Sequence, residues 1–555
     1  MARNVLVGLS LFIVQSTAAQ VAPDAYWVAF TDKPLAQEHL LAPEGFLSPR
    51  SLTRRAQQQI ALDSLDAPVH EPYVLAVLGA GTVELRYRSR WGNGVLIHTT
   101  DSLALVAIEA MPFVQGFRQV TRHNAAVKRV SDKFPPPNGS VGGYFESYYG
   151  ESFRQLEMTN GHLMHQLGAR GEGLLIGVLD SGFEGVDSLP AFASLRMRGG
   201  IIGTLDVPDA DGDVYDDHWH GRSVLSVLAA DLPGRLIGTA PDAGFMLVRT
   251  EVAASEYLVE EYHWMRGAEL CDSAGCDILN TSLGYTTFDD STQDHSYADL
   301  DGWTTPISRA ASIAATRGMV VVNSAGNSGS SEWYHIGAPA DAHGILAVGA
   351  VGADREPAAF SSHGPSADGR FKPDLAAMGL GTAGLGFAGL GVAAINGTSF
   401  SAPVITGLVA CLWGAHPELR ARQLRDELLA SCHRYPYPDH DVGHGIPDVW
   451  AAHRALIGDP LPMGDEPTWE GWGPSPFSDH FWIDLHTGEA DLVEVVLYDL
   501  MGRPVWSAST GVDRNVFRRL WLGDGELSGL SSGTYVVQVR AGGRSIQRKL
   551  TKAIR

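Results

Sequence analysis

Three short stretches of this chain carry residue types that together could cleave an acyl bond. The first is Asn396-Gly397-Thr398-Ser399-Phe400-Ser401-Ala402-Pro403, which runs straight into an apolar stretch over 404–413. It reads as a loop that delivers a hydroxyl to the first turn of a buried helix. Gly397 lets the backbone turn sharply, and Pro403 is tolerated in a first helical turn, where N–H groups lack helical partners. Ser399 would then keep its own N–H free to donate. Alone, such a serine is more often a helix cap. The second stretch, Leu174-Leu175-Ile176-Gly177-Val178-Leu179-Asp180-Ser181-Gly182, is a continuous apolar run ending in a carboxylate. It reads as a buried parallel strand with Asp180 at its C-terminal end, the edge where open α/β sheets bind ligands. The third, His218-Trp219-His220-Gly221-Arg222-Ser223-Val224, opens an apolar helical segment with a His-Gly pair. Serine is a weak nucleophile near neutral pH, and an adjacent imidazole oriented by a carboxylate supplies what it lacks.

The chain order Asp180, His220, Ser399 is one of the known orders of such a set. With these three motifs in their strand, loop and helix contexts, residues about 150–455 resemble a subtilase, a subtilisin-like serine endopeptidase. The resemblance implies that Ser399 is the nucleophile, that His220 moves its proton, and that Asp180 orients the imidazole. His220 is preferred over His218 because it carries the His-Gly signature and directly precedes the helix. Two further segments fit. Gly318-Met319-Val320-Val321-Val322-Asn323-Ser324-Ala325-Gly326-Asn327 is a strand running into a Gly/Asn turn, and the resemblance gives Asn327 the role of oxyanion donor beside the Ser399 N–H. Cys276-Asp277-Ile278-Leu279-Asn280-Thr281-Ser282-Leu283-Gly284 is similar to the family strand that pairs with extended substrate. Ser282, Leu283 and Gly284 would then bind substrate backbone, and Ala325 and Gly326 would border the pocket for the residue before the scissile bond. Main-chain pairing reads no sequence, so broad specificity is expected.

The chain departs from the family pattern at two places. Arg222 follows His-Gly where threonine is usual, which bears on the packing of that helix start. Phe400 follows the nucleophile where methionine is common, so this position should resist oxidation.

Composition agrees with an exported hydrolase. The 555 residues suggest several domains, and 45% hydrophobic with 19% charged residues describes globular protein. The 63 acidic and 41 basic residues leave a net charge of −22, which argues against nucleic acid and anionic membrane surfaces as partners. Arg3, an apolar run over 5–14 and the small residues Ser16-Thr17-Ala18-Ala19 read as a secretory signal cleaved after Ala19. No other run is long enough to span a bilayer, so no transmembrane segment is expected in the mature chain. Cys271 and Cys276 are expected to close a small disulfide loop in an oxidising compartment. Cys411 and Cys432 could form a second bridge, or Cys411 could be a buried apolar residue. The cysteine and histidine spacings do not assemble a metal site. No cofactor is required. The acidic stretch 206–217 contains Asp209-Ala210-Asp211-Gly212-Asp213, which echoes the start of a calcium loop but lacks the distal glutamate. A solvated acidic loop is the favoured reading, with calcium as a structural ion the alternative because subtilases often bind it.

The elements divide the chain into a signal peptide (1–19), an α+β unit (20–130), a linker (131–149), the peptidase domain (150–457), a second linker (458–476) and a C-terminal β-sandwich (477–555). In the α+β unit we expect strands at 25–30, 83–87, 94–98 and 117–121, a helix at 51–61 capped by Ser51, and a second helix at 103–110. Placed before a subtilase, this unit resembles an inhibitor-like propeptide that assists folding and blocks the cleft; a stable accessory domain is the alternative. Arg122, Lys128, Arg129 and Pro135-Pro136-Pro137-Asn138-Gly139 follow it, and the cut should fall within about 120–145. At the other end, short strands at 481–485, 492–497, 504–508, 516–521, 534–540 and 545–551 suggest a small sandwich. Leu497-Tyr498-Asp499-Leu500-Met501-Gly502-Arg503, Leu530-Ser531-Ser532-Gly533-Thr534-Tyr535 and Arg548-Lys549-Leu550 resemble the C-terminal sorting domain of type IX secretion cargo. That implies handling by the secretion machinery, then release or surface attachment; a carbohydrate-binding module is the competing reading.

The expected fold is therefore α/β, a subtilisin-like three-layer catalytic domain with a mainly parallel sheet, preceded by an α+β prodomain and followed by a small β-sandwich. The expected activity is hydrolysis of peptide bonds in extracellular protein. A catalytically silent peptide-binding protein would use the same cleft. A serine esterase would want Gly-x-Ser-x-Gly around its nucleophile and the order Ser, acid, His; the stretch around Ser399 reads Gly397-Thr398-Ser399-Phe400-Ser401, and the order here is Asp, His, Ser.

Overall fold

The computed structural model describes residues 24–121, 148–387, 391–458 and 466–553, less 474, 478, 479, 513, 515, 516, 524 and 525. The expected signal peptide and Arg122, Lys128, Arg129 and the proline run lie outside the described residues.

The first unit is an antiparallel sheet built from β1 (Asp24–Phe30), with helices α1 (Pro49–Gln58) and α2 (Glu71–Leu78) following it, then β2 (Glu84–Ser89), β3 (Gly94–Thr99), α3 (Ser102–Glu109) and β4 (Val114–Thr121). The strand order is β2–β3–β1–β4. Alternation along β1 sends Tyr26, Val28 and Phe30 to one face, where they pack with Val74, Val77 and Ile108. Ala25 and Trp27 go to the other face and join a core shared with the peptidase unit. Helix α1 begins earlier than expected. Pro49 sits in its first turn and Ser48, not Ser51, is the cap, accepting the Ser51 N–H at 3.2 Å. Helix α2 was not anticipated because Tyr73-Val74-Leu75-Ala76-Val77-Leu78 is apolar all round and shows no helical period.

The peptidase unit is organised by β5 (Leu175–Asp180), β6 (Ile201–Asp206), α4 (Trp219–Ala229), β7 (Gly244–Arg249), α5 (Val259–Ala274), β8 (Ile278–Thr281), α6 (Pro306–Thr316), β9 (Val320–Ser324), β10 (Leu346–Val351), β11 (Leu375–Met378), the hairpin β12 (Leu380–Leu385) and β13 (Val392–Asn396), α7 (Thr398–Ala415), α8 (Ala421–Ala430) and α9 (Val449–Leu456). Seven strands form one sheet in the order β11–β10–β9–β8–β5–β7–β6, and every pairing is parallel. Strands such as Val320-Val321-Val322 are continuous apolar runs because both faces are covered. One face packs on α4, α7 and α8, with Val224, Leu228, Val404 and Leu408 in its core. The other packs on α5 and α6 through Trp264, Met265, Ala310 and Ala314. Helix α7 is the one described helix long and apolar enough to cross a membrane, and 89% of it is buried in this core.

The first unit docks on α5. Trp27 stacks on Tyr262 at 4.5 Å between ring centroids. Asp272, fully buried at the end of α5, receives Arg54, Arg55 and Arg90 from the first unit, with Arg55 at 2.7 Å and Arg90 at 2.6 Å. One turn earlier Glu269 accepts the N–H groups of Arg90 and Trp91 at 3.1 and 3.0 Å and the Ser89 hydroxyl. Burial lifts the Glu269 carboxyl above its ordinary range, against the pull of Arg90.

The expected Cys271–Cys276 disulfide is absent, and Cys411 is a buried residue rather than half of a bridge to Cys432. All four cysteines are free and buried. A Schellman turn at Gly275 (φ 94°) closes the end of α5 by backbone hydrogen bonds, with the Cys276 N–H on the Cys271 carbonyl at 2.9 Å. Cys411 donates to the Thr239 carbonyl at 3.2 Å, and Cys432 to the Leu428 carbonyl at 3.6 Å.

At the C-terminus β14 (Thr468–Gly473), β15 (Phe481–His486), β16 (Leu492–Tyr498), β17 (Pro504–Gly511), β18 (Phe517–Leu522), β19 (Gly533–Ala541) and β20 (Arg544–Lys552) form two antiparallel sheets, β14–β15–β18 and β17–β16–β19–β20. Their inner faces share a core of Phe481, Ile483, Leu485, Val493, Val495, Leu497, Val537 and Val539. Strand β14 falls in the stretch read as linker. Its Trp469 and Trp472 pack against this core, and that burial outweighs the turn-forming character of its glycines.

Candidate active site

Asp180 ends β5, an inner strand of the parallel sheet, at that strand's C-terminal end. Its Oδ1 lies 2.7 Å from His220 Nδ1 and accepts the Ser181 N–H at 2.8 Å. His220 sits in the first turn of α4. The residue before that helix, His218, does two jobs. Its Nδ1 caps the helix by accepting the His220 N–H at 3.3 Å, and it meets the Ser181 hydroxyl at 2.9 Å. Ser181 in turn lies 3.2 Å from Asp180 Oδ1. His218 was passed over in the sequence reading. The available signal was its place two residues ahead of the base, where a cap belongs.

Ser399 is the second residue of α7. Gly397 before it has φ 144°, a conformation that favours glycine. Pro403 lies in the second turn of the helix rather than the first. It has no N–H to give to the carbonyl four residues back, which is that of Ser399. The Ser282 hydroxyl fills the vacancy at 2.8 Å, and the Ser399 hydroxyl lies 3.2 Å from the Ser282 carbonyl. The two serines are thereby locked together.

Asn327 is held by its oxygen. Oδ1 accepts the Thr398 N–H at 2.9 Å and the Thr398 hydroxyl at 3.0 Å. A backbone N–H only donates, so this contact leaves the amide nitrogen as the end facing Gly397. A Cβ on Gly397 would sit 3.7 Å from it. The Asn327 N–H₂ and the N–H of the next helical residue, Ser399, are donors of the kind that bind an oxyanion.

These groups line one cleft of about 440 Å³, with His220, Ser282, Leu283, Gly284, Gly326, Asn327 and Ser399 in its wall. Ala325 is not part of that wall. Its methyl group is fully buried in the core beneath the sheet edge. Arg222 takes up the role of its helix start in packing: it reaches Glu184 at 2.8 Å and the Gly386 and Phe387 carbonyls at 3.0 and 2.8 Å. Phe400 is buried, with its ring 5.7 Å from that of His220.

Among the described residues no group of three or more His, Cys, Asp or Glu side chains could hold a metal ion. Asp206, Asp209 and Asp217 turn instead to Arg249 at the end of β7, at 2.9, 2.6 and 3.2 Å. Burial pushes the Asp217 carboxyl up to about 6, opposed by Arg249 and reinforced by the other aspartates. Burial also works against the Arg249 charge, but the three aspartates outweigh it and hold the guanidinium above its ordinary value.

Comparison with known proteins agrees with this fold. Residues 171–445 match the subtilase family, residues 25–133 the peptidase S8 propeptide domain of Bacteroidota, and residues 474–553 the secretion system C-terminal sorting domain. Subtilisin E of Bacillus subtilis (strain 168) is 30% identical over 292 residues, 52% of this chain and 68% of its own length. Subtilisin of Bacillus pumilus is 29% identical over 292 residues, 52% of this chain and 94% of its own. Serine protease AprX of Bacillus subtilis is 26% identical over 302 residues, 49% of this chain and 64% of its own. The chain belongs to the subtilase family. It is a serine peptidase with a propeptide domain and a sorting domain, and that sorting domain implies secretion to the cell surface or beyond.

Proposed function

We propose that Ser399 attacks the scissile carbonyl of an extended protein substrate, with His220 as base and then acid and Asp180 holding the imidazolium. The observation that carries this is the 2.7 Å contact from Asp180 to His220 Nδ1, with His220 and Ser399 in the wall of one cleft. An Nδ1–H committed to the carboxylate leaves Nε2 as the base. Asn327 and the Ser399 N–H bind the oxyanion. Ser282, Leu283 and Gly284 pair with substrate backbone, and Gly326 borders the pocket for the residue before the cut. The acyl-enzyme on Ser399 is then hydrolysed by water that His220 deprotonates.

The unit over 20–130 acts as the enzyme's inhibitor until it is released. The support is its docking on α5, where three arginines converge on Asp272. The remaining boundaries, a peptidase domain over 150–457 and a sorting domain over 477–555 with linkers between, belong to the same reading, and β14 extends the last unit to about 468. No calcium is assigned to the 206–217 stretch, three of whose six carboxylates meet Arg249.

The test is labelling of the processed protein with a fluorophosphonate, beside Ser399→Ala, with casein hydrolysis in parallel. Labelling and hydrolysis should both vanish in the variant. A folded, processed wild type that takes no label would overturn the reading and leave a peptide-binding cleft.

A further inference from the structure

We propose that Arg249 is the built-in counter-ion of the acidic loop, and that it acts through this loop as a positioning residue for His220. Arg249 ends β7 between the two strands that carry Asp180 and Asp206, in register with both. Its side chain is buried, and one guanidinium meets three carboxylates: Asp206 and Asp209 through Nη1 at 2.9 and 2.6 Å, and Asp217 at 3.2 Å from Nε. Asp217 directly precedes His218, the cap of the helix that carries His220. The same two residues are pressed against the chain leaving Asp180. A Cβ on Gly182 would come within 2.4 Å of the His218 N and 2.7 Å of the Asp217 Cβ. The loop is therefore clamped between Gly182 on one side and Arg249 on the other, and His218 transmits its position both to His220 and, through Ser181, to Asp180.

A divalent cation would hold such a loop by the same electrostatics, because it too would quench repulsion among Asp206, Asp209 and Asp217. Here the charge is covalently attached, so the loop is closed without an ion. Removing the guanidinium leaves three carboxylates facing one another. The loop should then relax away from the sheet edge and carry the base with it. A displacement of about 1 Å at a catalytic group is enough for roughly a hundredfold in rate.

The inference rests on His220 being the base, so His220→Ala is measured alongside. Arg249→Met and Arg249→Lys are compared with wild type as processed enzyme on a fluorogenic peptide. Concentration is taken from absorbance and folding from near-UV circular dichroism, with and without millimolar calcium chloride. Arg249→Met should lose about tenfold or more in kcat, with KM changed less than about twofold, since the substrate-pairing strand is untouched. Arg249→Lys should recover most of that loss. Calcium should raise kcat of Arg249→Met and leave wild type unchanged. A folded Arg249→Met with wild-type kcat, or a loss carried by KM, overturns the proposal. So does an Arg249→Lys as impaired as the methionine variant with no response of either to calcium. If Arg249→Met does not fold, Asp217→Asn decides: it removes one arm of the clamp and should lower kcat in the same way, and wild-type kcat there overturns the proposal. Failure of the triad reading has a different signature, an active His220→Ala.

Discussion

His218 shows how much of the site depends on a side chain outside the cleft wall. Its Nδ1 is both the cap of α4 and a contact of Ser181, so it ties the helix carrying the base to the strand carrying the acid. Replacing it with alanine removes a cap worth about 1 kcal/mol and frees Ser181. His218→Ala should lower kcat/KM several-fold at unchanged cleavage specificity, because the helix start that carries His220 and the Ser181 contact to Asp180 both lose their anchor and the base is misplaced. Full activity would mean that Ser181 and the helix start hold themselves. Asp448 carries a second prediction at this scale. It caps α9 through the Ala451 N–H at 2.9 Å and takes the Asn160 amide at 2.9 Å, yet burial pushes its carboxyl up to about 6. An unfolded aspartate titrates near 3.9, so between about pH 4 and 6 the native state holds the proton more tightly than the unfolded one. Stability from this group is fully present below that window and declines as pH rises through it, by up to roughly 3 kcal/mol. Asp448→Asn keeps a capping oxygen and should flatten that decline when urea midpoints are compared across the window. An identical decline in both proteins would remove Asp448 as its source.

At the scale of elements, α7 is built around a missing hydrogen bond. Pro403 withholds an N–H from the Ser399 carbonyl, and Ser282 from the end of β8 supplies the replacement. The strand proposed to pair with substrate and the helix carrying the nucleophile are joined by this pair of contacts. Ser282→Ala should leave the carbonyl buried without a partner, a loss of about 1–3 kcal/mol in unfolding free energy. Pro403→Ala restores a helical donor, so the double variant should be less destabilised than Ser282→Ala alone, as read from chemical denaturation. Additive losses would show that the two sites are not coupled through that carbonyl. The same stretch shows what could be read from sequence. The buried strand, the His-Gly helix and the loop into α7 were legible because continuous apolar runs, Gly turns and a helix start are local patterns. Ser282 was placed as a backbone contributor, and its hydroxyl bond was out of reach because the partner carbonyl is 117 residues away. Arg249 escaped notice for the same reason: its partners come from β6 and the loop before α4. Ala325 was assigned to the pocket because it adjoins Gly326, but alternation at the end of β9 turns its methyl group into the core. The Cys271/Cys276 spacing suggested a bridge, while the backbone cap at Gly275 already closes that turn.

For the whole molecule, the decisive contact is between the first unit and α5. Asp272 is fully buried beneath Arg54, Arg55 and Arg90, and a second set runs the other way, from Arg317 of the peptidase unit to Asp63 and Asp66 at 3.0 and 3.2 Å. Breaking one partner of a buried ionic set strands the others and typically costs 3–5 kcal/mol. Asp272→Ala in the full chain should therefore let the cleaved propeptide separate from the enzyme on gel filtration under conditions where the wild-type pair stays together. Co-elution of the variant pair would place the binding energy in the Trp27–Tyr262 core instead. The C-terminal sandwich has its own apolar core, so its removal should affect export and leave the kcat of the processed peptidase unchanged.

The central claim is that Asp180, His220 and Ser399 act as one unit in this cleft. It is tested most directly by residual peptide hydrolysis in Ser399→Ala, His220→Ala and the double variant, at equal concentrations of folded, processed protein. The account predicts that each single variant loses nearly all activity and that the double variant is no slower than either, because a unit lacking one part has nothing further to lose. Losses that multiply in the double variant, or a His220→Ala that keeps wild-type activity, would contradict it.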